Sequence, residues 1–123
     1  MNAEQIVNSF IADVDRKDMT AAMAWVAEDC YYDNVPLGDM RGRDKMQEFL
    51  TPFFKSAGPV KFEIVRQAAS GNIVMNERID HFVMKGRQIA IQVSGVFEVN
   101  NGQITFWRDY FDNGMFMKQL NDE

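Results

Sequence analysis

Cysteine, proline and histidine are scarce in this 123-residue chain, and long apolar runs are missing from it. Its one cysteine, Cys30, excludes an intramolecular disulfide framework and suits a reducing compartment. No apolar run approaches the ~18 residues that a membrane-spanning helix needs. Residues 1–5 have neither the cationic segment nor the apolar stretch of a signal peptide. We therefore predict a soluble, cytoplasmic protein that does not bind a membrane.

Positive charge is scarce as well, because 13 Lys and Arg face 18 Asp and Glu, for a net charge of −5. Without a basic run, we expect no nucleic-acid partner. Gly38 and Gly42 lie in an acidic turn that has no phosphate-binding Lys. His81, the single histidine, has no neighbours suitable for a zinc site. We expect neither a metal nor an organic cofactor.

Apolar residues, at 46% of the chain, are in the proportion typical of a globular protein. We expect residues 1–123 to form one domain, because this length supports one core but not two. Helical spacing of apolar residues predicts a helix over 3–16, and an Ala-rich stretch predicts another over 19–27. A third helix should open at Gly42, with Asp44 as its cap, and end at Gly58. Its apolar stripe is expected to consist of Met46, Phe49, Leu50, Phe53 and Phe54.

The second half of the chain alternates β-prone segments and turns. A short β-prone segment, 30–35, comes first and is stopped by Pro36 and a turn at 37–39. Four longer strands are predicted over 60–70, 73–84, 88–99 and 103–112, and one or two helical turns are expected in the tail from Asn113. Helices followed by an antiparallel meander predict an α+β fold, in which a sheet curves around helices that cover one face. A pocket between sheet and helices is the usual place for a small-molecule site.

Three charged side chains are predicted to meet inside this apolar surface. Alternate strand residues share a face, so Arg78 and Asp80 point the same way, and Asp109 lies between the rings of Trp107 and Phe111. Charges on such a surface are costly singly and tolerable when paired. Two carboxylates bridged by Arg78 suit acid–base catalysis, since their pKa values can be driven apart. A buried structural salt bridge is the alternative.

Tyr32 and Asn34 form a second pair of alternate residues, on the segment before Pro36. A phenol and a carboxamide can fix a water molecule or a substrate oxygen. The same two residues also suit a plain structural role at a strand edge or turn.

Segments that contain these five residues resemble the limonene epoxide hydrolases over most of the chain, from the first helix to about Phe116. The resemblance is carried by residues 27–37, by residues 76–80, and by residues 94–97 with 102–112. It implies the cone of nuclear-transport-factor-like (SnoaL-like) proteins, a strongly curved, mixed but mainly antiparallel sheet with N-terminal helices over its concave face. The turn at 85–87 is shorter than that of the family, which concerns the shape of the pocket rather than the chemistry.

The resemblance also implies roles for the five residues. Asp80 would be the general acid and Asp109 the general base, with Arg78 bridging them and Tyr32 and Asn34 holding the water. The expected substrate is an apolar epoxide and the product a vicinal diol. A homodimer is implied as well, and Val96, Phe106 and Tyr110 offer an apolar outer face for it.

Two other functions remain open from the sequence. One is a ketosteroid-isomerase-like or polyketide-cyclase-like enzyme on the same fold, with one carboxylate as base and Tyr32 as oxyanion donor. The other is a non-catalytic module that binds a small molecule or a partner protein, since one fold hosts many functions.

Overall fold

The computed structural model describes residues 1–121, which form four helices and six strands. In chain order they are α1 (Ala3–Asp15), α2 (Met19–Ala24), β1 (Val26–Asn34), β2 (Gly38–Arg41), α3 (Arg43–Ser56), β3 (Lys61–Ser70), β4 (Ile73–Met84), β5 (Arg87–Asn100), β6 (Gln103–Phe111) and α4 (Asn113–Asn121). None of these helices is both long enough and apolar enough to cross a membrane.

The strands form one curved, open sheet in the order β2-β1-β6-β5-β4-β3. Every neighbouring pair is antiparallel except β1 and β6, which run parallel. The predicted α+β class with a mixed, mainly antiparallel sheet is confirmed. The parallel pair matters for the site, because it brings an early segment of the chain beside the last strand.

The core lies between the sheet and α1, whose apolar stripe is buried along its whole length. Phe10 of α1 meets the ring of Trp107 edge-on, with ring centroids 5.3 Å apart. Trp107 in turn stacks on Phe97 of the neighbouring strand. Edge-to-face and offset-stacked pairs are the favoured aromatic geometries, so this contact fixes the helix against the middle of the sheet.

Four local predictions were wrong, and one of them is the start of β1, which lies at Val26 instead of residue 30. The second helix ends at Ala24 instead of residue 27, since Val26 already pairs with Ile104 of β6 and β pairing outweighs helix propensity there. Asp44 does not cap α3: Gly42 occupies that position, and Asp44 lies in the first turn. The turn predicted at 37–39 runs into a short strand, β2, which pairs with β1.

The four long strands, α1 and α3 were predicted correctly to within one or two residues. β4 and β5 show the expected alternation of burial, which in β4 places Asn76, Arg78 and Asp80 on the buried face. The tail from Asn113, for which one or two helical turns were expected, forms the nine-residue helix α4.

The outer face of the sheet carries the residues on which the homodimer prediction rests. Tyr110 is 45% exposed, and Val96, Phe106 and Arg108 beside it are half-buried. A surface of this kind is commonly covered by a partner. We expect light scattering at micromolar concentration to give a mass of two chains, and Phe106→Asp to shift it to one. A single-chain mass for the unaltered protein would contradict the prediction.

Candidate active site

A cavity of about 120 Å³ opens between the concave face of the sheet, α3 and α4. Aromatic rings form most of its wall: Tyr32, Phe49, Phe53, Phe54, Phe62, Phe82, Trp107, Phe111 and Phe116. Asn34, Asp80 and Asp109 are the other polar side chains that line it. Phe49, predicted to lie in the buried stripe of α3, is instead 45% exposed. The cavity is thus an apolar space with a few polar groups on one wall, as is usual for small-molecule sites.

Arg78 lies behind that wall, fully buried, and all five of its guanidinium N–H groups have acceptors. Nε donates to Oδ1 of Asp80 at 3.0 Å, and Nη2 donates to Oδ2 of Asp80 and of Asp109 at 2.9 Å each. Nη1 donates to Oδ1 of Asp109 at 3.2 Å and to Oδ1 of Asn76 at 3.1 Å. The guanidinium therefore holds both carboxylates in fixed positions relative to each other.

The guanidinium also has close neighbours outside its hydrogen bonds. The ring of Phe62 lies 4.9 Å from Cζ of Arg78, a cation–π contact. On another side is Gly95 of β5, where an added Cβ would press on Nη1 of Arg78 and come within 2.8 Å of Asn76 Oδ1 and 2.9 Å of Asp109 Oδ1. Burial opposes the charge on Arg78, yet Asp109 and then Asp80 outweigh it and raise its pKa. The site is built around a permanent cation.

The two carboxylates have different surroundings. Asp109 accepts three hydrogen bonds, two from Arg78 and a third from Nε1 of Trp107 at 2.7 Å. Asp80 accepts two, both from Arg78. Burial raises the pKa of Asp80 above its ordinary value, and Arg78 opposes the rise while Asp109 adds to it. A carboxyl group that accepts fewer hydrogen bonds and has a raised pKa is well suited to donate a proton, so Asp80 is the better acid of the two.

The parallel pairing of β1 with β6 places the predicted polar pair beside Asp109. Asn34 is the register partner of Asp109, and Tyr32 that of Trp107. Nδ2 of Asn34 donates to the Tyr32 hydroxyl at 2.9 Å, and the Tyr32 ring stacks on Trp107 at 4.4 Å. Burial, and then Asp109, raise the pKa of Tyr32, so it stays a neutral phenol. Because the hydroxyl oxygen accepts from Asn34, its hydrogen is available to another acceptor.

Four of the five predicted residues thus line the cavity, and the fifth, Arg78, lies behind the two carboxylates and binds both of them. Over residues 1–122, the sequence matches the profile of the limonene-1,2-epoxide hydrolase catalytic domain. The chain belongs to the limonene-1,2-epoxide hydrolase family. Its curved sheet with helices on the concave face is the nuclear-transport-factor-like cone that the resemblance implied.

Similar proteins support this family membership. The chain is 34% identical to epoxide hydrolase EphG of Mycobacterium tuberculosis (strain ATCC 25618 / H37Rv) over 108 residues, which are 86% of this chain and 70% of that protein. A solved structure of an M. tuberculosis LEH-like epoxide hydrolase superposes with a TM-score of 0.86 at 31% identity, covering 96% of this chain and 88% of that one.

The fold is also shared outside the family. A protein from Xanthomonas campestris pv. campestris, provisionally described as a polyketide cyclase, has a TM-score of 0.87 at 22% identity, covering 97% of this chain and 96% of its own. At that identity the likeness concerns the fold alone.

Three residues that contribute to the site of this limonene-1,2-epoxide hydrolase family member were not predicted from the sequence: Asn76, Trp107 and Gly95. Asn76 shares the face of Arg78 and Asp80 in β4, so period-two alternation was the available signal. Trp107 was treated as an apolar ring, although a buried indole N–H needs an acceptor and Asp109 was two residues away. Gly95, inside a strand, marks a close approach of another group.

Cys30 and His81 lie outside the site. Cys30 is buried in the core, where desolvation raises the pKa of its thiol to about 12. His81 faces away from Asp80, and its Nε2 lies 2.9 Å from Oε1 of Glu63. Within residues 1–121, no three His, Cys, Asp or Glu side chains are grouped closely enough to hold a metal ion.

Proposed function

We propose that this protein is a cofactor-independent epoxide hydrolase that converts an apolar epoxide into a vicinal diol in one step. The observation that carries the proposal is the clamp of Arg78 on two carboxylates at the wall of an aromatic cavity. An epoxide needs a proton donor at its oxygen and an activated water at its carbon. Two carboxyl groups with different surroundings supply one of each.

Asp80 acts as the acid in this mechanism. Its carboxyl proton goes to the epoxide oxygen as the C–O bond breaks, and the bonding electrons stay on that oxygen. The raised pKa of Asp80, caused chiefly by burial, favours the protonated form that this step requires. Asp80 is then a carboxylate, stabilised by the two hydrogen bonds from Arg78.

Asp109 acts as the base. It removes a proton from the water whose oxygen attacks the epoxide carbon, and Asn34 and the Tyr32 hydroxyl hold that water. Proton donation and removal occur together, so neither a free alkoxide nor a free hydroxide forms. A proton passed from Asp109 back to Asp80, both held on Nη2 of Arg78, restores the starting state.

The size of the cavity limits the substrate. A buried cavity of about 150 Å³ holds one benzene molecule, and the cavity here is about 120 Å³. We expect epoxides with a single small ring, such as cyclohexene oxide or styrene oxide, to be hydrolysed with a kcat/KM at least ~10-fold above that of two-ring analogues. Diol formation measured by chromatography across such a series tests both the activity and the size limit.

The same series separates the competing functions. Isomerisation of a Δ5-ketosteroid, or ring closure of a polyketide model compound, with no diol from any epoxide would favour the other enzymes known for this fold. Tight binding of one-ring diols without turnover of any compound would favour a non-catalytic binding module. Either result would overturn the proposed hydrolase.

Direct attack by water is distinguished from a covalent route by isotope labelling. A carboxylate near an epoxide can itself attack carbon and form an ester that water later cleaves. Asp109 already accepts three hydrogen bonds, and the histidine that could hydrolyse such an ester faces away from the site. In a single turnover with excess enzyme in ¹⁸O-water, we expect the label in the first diol. An unlabelled diol, with ¹⁸O in the peptide that contains Asp80 or Asp109, would contradict direct attack.

A further inference from the structure

A continuous chain of side-chain hydrogen bonds links Arg78 to the first turn of α1. Oδ1 of Asn76 accepts from Nη1 of Arg78 at 3.1 Å, and Nδ2 of Asn76 donates to Oε1 of Gln67 at 3.0 Å. Nε2 of Gln67 donates to Oε2 of Glu4 at 3.1 Å and to Oδ1 of Asn8 at 2.9 Å. This chain, which we call the amide relay (Glu4, Gln67, Asn76), connects the clamp to a carboxylate near the surface.

The two ends of the amide relay fix the orientation of both amides. The Glu4 carboxylate only accepts hydrogen bonds, so Gln67 must turn its NH₂ group outward and its oxygen toward Asn76. The NH₂ group of Asn76 must then donate to the oxygen of Gln67, which leaves the side-chain oxygen of Asn76 facing the guanidinium of Arg78. Arg78 only donates, so both ends require the same orientation. A turned-over Asn76 would place an N–H against Nη1, with a lost hydrogen bond in a buried position.

We propose that Asn76 is a positioning residue for catalysis, which sets the plane of the Arg78 guanidinium through an orientation fixed by Gln67 and Glu4. Among residues 1–121, Asn76 is the one side-chain acceptor on Arg78 other than the two carboxylates, so it holds Nη1 without taking part in proton transfer. Its position depends on pairing of β3 with β4, in which Gln67 faces Asn76 directly. The proposal rests on the proposed function, in which Arg78 holds the acid and the base.

The first test removes the acceptor. Asn76→Leu keeps the approximate size of the side chain but gives Nη1 no oxygen. We expect kcat on an accepted one-ring epoxide to fall about 10-fold with KM changed less than about twofold, because misplaced catalytic groups slow the chemistry without weakening apolar binding. Asn72→Leu, which removes an exposed amide contact to Asn100, is the control and should leave both constants unchanged. A rise in KM with kcat preserved would overturn the proposal.

The second test reverses the polarity of the relay. Gln67→Glu places a carboxylate against that of Glu4. Repulsion between the two should move residue 67 away from Nδ2 of Asn76, leave the orientation of Asn76 unfixed and lower kcat about 5-fold. Glu4→Gln combined with Gln67→Glu restores a donor and an acceptor at that contact, and kcat should return to within about twofold of the original value. If the double variant regains its thermal stability but not its kcat, the relay has only a structural role and the proposal fails. The comparison of Gln67→Glu with the double variant also tests the positioning role of Asn76 if Asn76→Leu does not fold.

The third test does not depend on hydrolysis. In ¹⁵N-arginine-labelled protein, a guanidinium with five occupied N–H groups should give separate, slowly exchanging Nη hydrogen resonances for Arg78. In Asn76→Leu and in Gln67→Glu, faster rotation about the Cζ–Nη1 bond should merge the two Nη1 hydrogen resonances of Arg78. In the double variant the two resonances should be separate again. These spectra test the positioning role even if no epoxide is a substrate. A failure of this proposal can therefore be distinguished from a failure of the proposed function. An unchanged Nη1 pair in all variants would overturn the proposal.

Discussion

Asp109→Asn and Asp80→Asn should each lower kcat/KM on an accepted epoxide by at least ~100-fold, since each removes one arm of the proton transfer. Asparagine matches aspartate in shape, so the cavity and the contacts to its aromatic wall should survive. A carboxamide in place of Asp109 cannot take a proton from water, and a carboxamide in place of Asp80 is far too weak an acid to protonate an epoxide oxygen. Full activity in either variant would contradict the assignment.

A matched control exists on the opposite face of the sheet. Oδ2 of Asp33 accepts from Nε of Arg108 at 2.9 Å, an Asp–Arg pair that is chemically similar but partly exposed and does not line the cavity. Asp33→Asn should change kcat/KM by less than about twofold, because partly exposed ion pairs contribute little. A comparable loss in this variant would mean that the effects in the cavity reflect stability and not catalysis.

The dependence of activity on pH follows from the direction in which the pKa of Asp80 is shifted. Burial raises that pKa, so the protonated acid persists to higher pH than for an ordinary aspartate. Activity should therefore fall as pH rises through the pKa of Asp80. Asp80→Asn should lack this alkaline limb in its residual activity, whereas Asp33→Asn should retain it. If activity still falls at high pH in Asp80→Asn, that fall reflects the titration of another group, and the assignment of Asp80 as the acid would be wrong.

Much of the candidate site was predictable because it depends on one short-range rule. Alternation in a strand put Arg78 and Asp80 on one face whatever the rest of the fold did, and the cost of burying a lone charge called for a partner. The turn at Asn101-Gly102 likewise predicted that β5 pairs with β6, although a bulge between Glu98 and Val99 sets the register that places Gly95 opposite Asp109. Local chemistry of this kind is readable without knowing the whole sheet.

What could not be predicted depends on contacts between distant parts of the chain. The parallel pairing that places Asn34 beside Asp109 joins segments about 75 residues apart, and no local pattern specifies it. The link from Gln67 to Glu4 depends likewise on how α1 lies against β3. The end of α2 was misplaced for the same reason, since Val26 takes its conformation from β6.

Arg78→Ala should abolish most of the activity and also destabilise the protein by about 3–5 kcal/mol, because it leaves two buried carboxyl groups without their cation. Arg78→Lys separates charge from geometry. An ammonium keeps the charge but has three N–H donors in place of five, so it cannot make the five hydrogen bonds that hold Asp80, Asp109 and Asn76 in place. We expect Arg78→Lys to recover much of the stability, measured by urea unfolding, but little of the kcat. Recovery of kcat with stability would mean that only the charge of Arg78 matters.

The stability lost in Arg78→Ala should depend on pH in a defined direction. Without the guanidinium, burial and the neighbouring Asp109 place the folded-state pKa of Asp80 further above its unfolded value. The folded state then binds a proton more tightly than the unfolded state, so its stability is greatest at low pH and falls as pH rises through the folded-state pKa of Asp80. The gap between Arg78→Ala and the unaltered protein should therefore narrow on acidification from pH 7 toward about pH 5. Arg108→Lys, at the partly exposed pair with Asp33, should show no such narrowing. A gap that stays constant with pH would mean that Arg78 stabilises the fold through packing, such as its contact with Phe62, and not by holding two carboxylates.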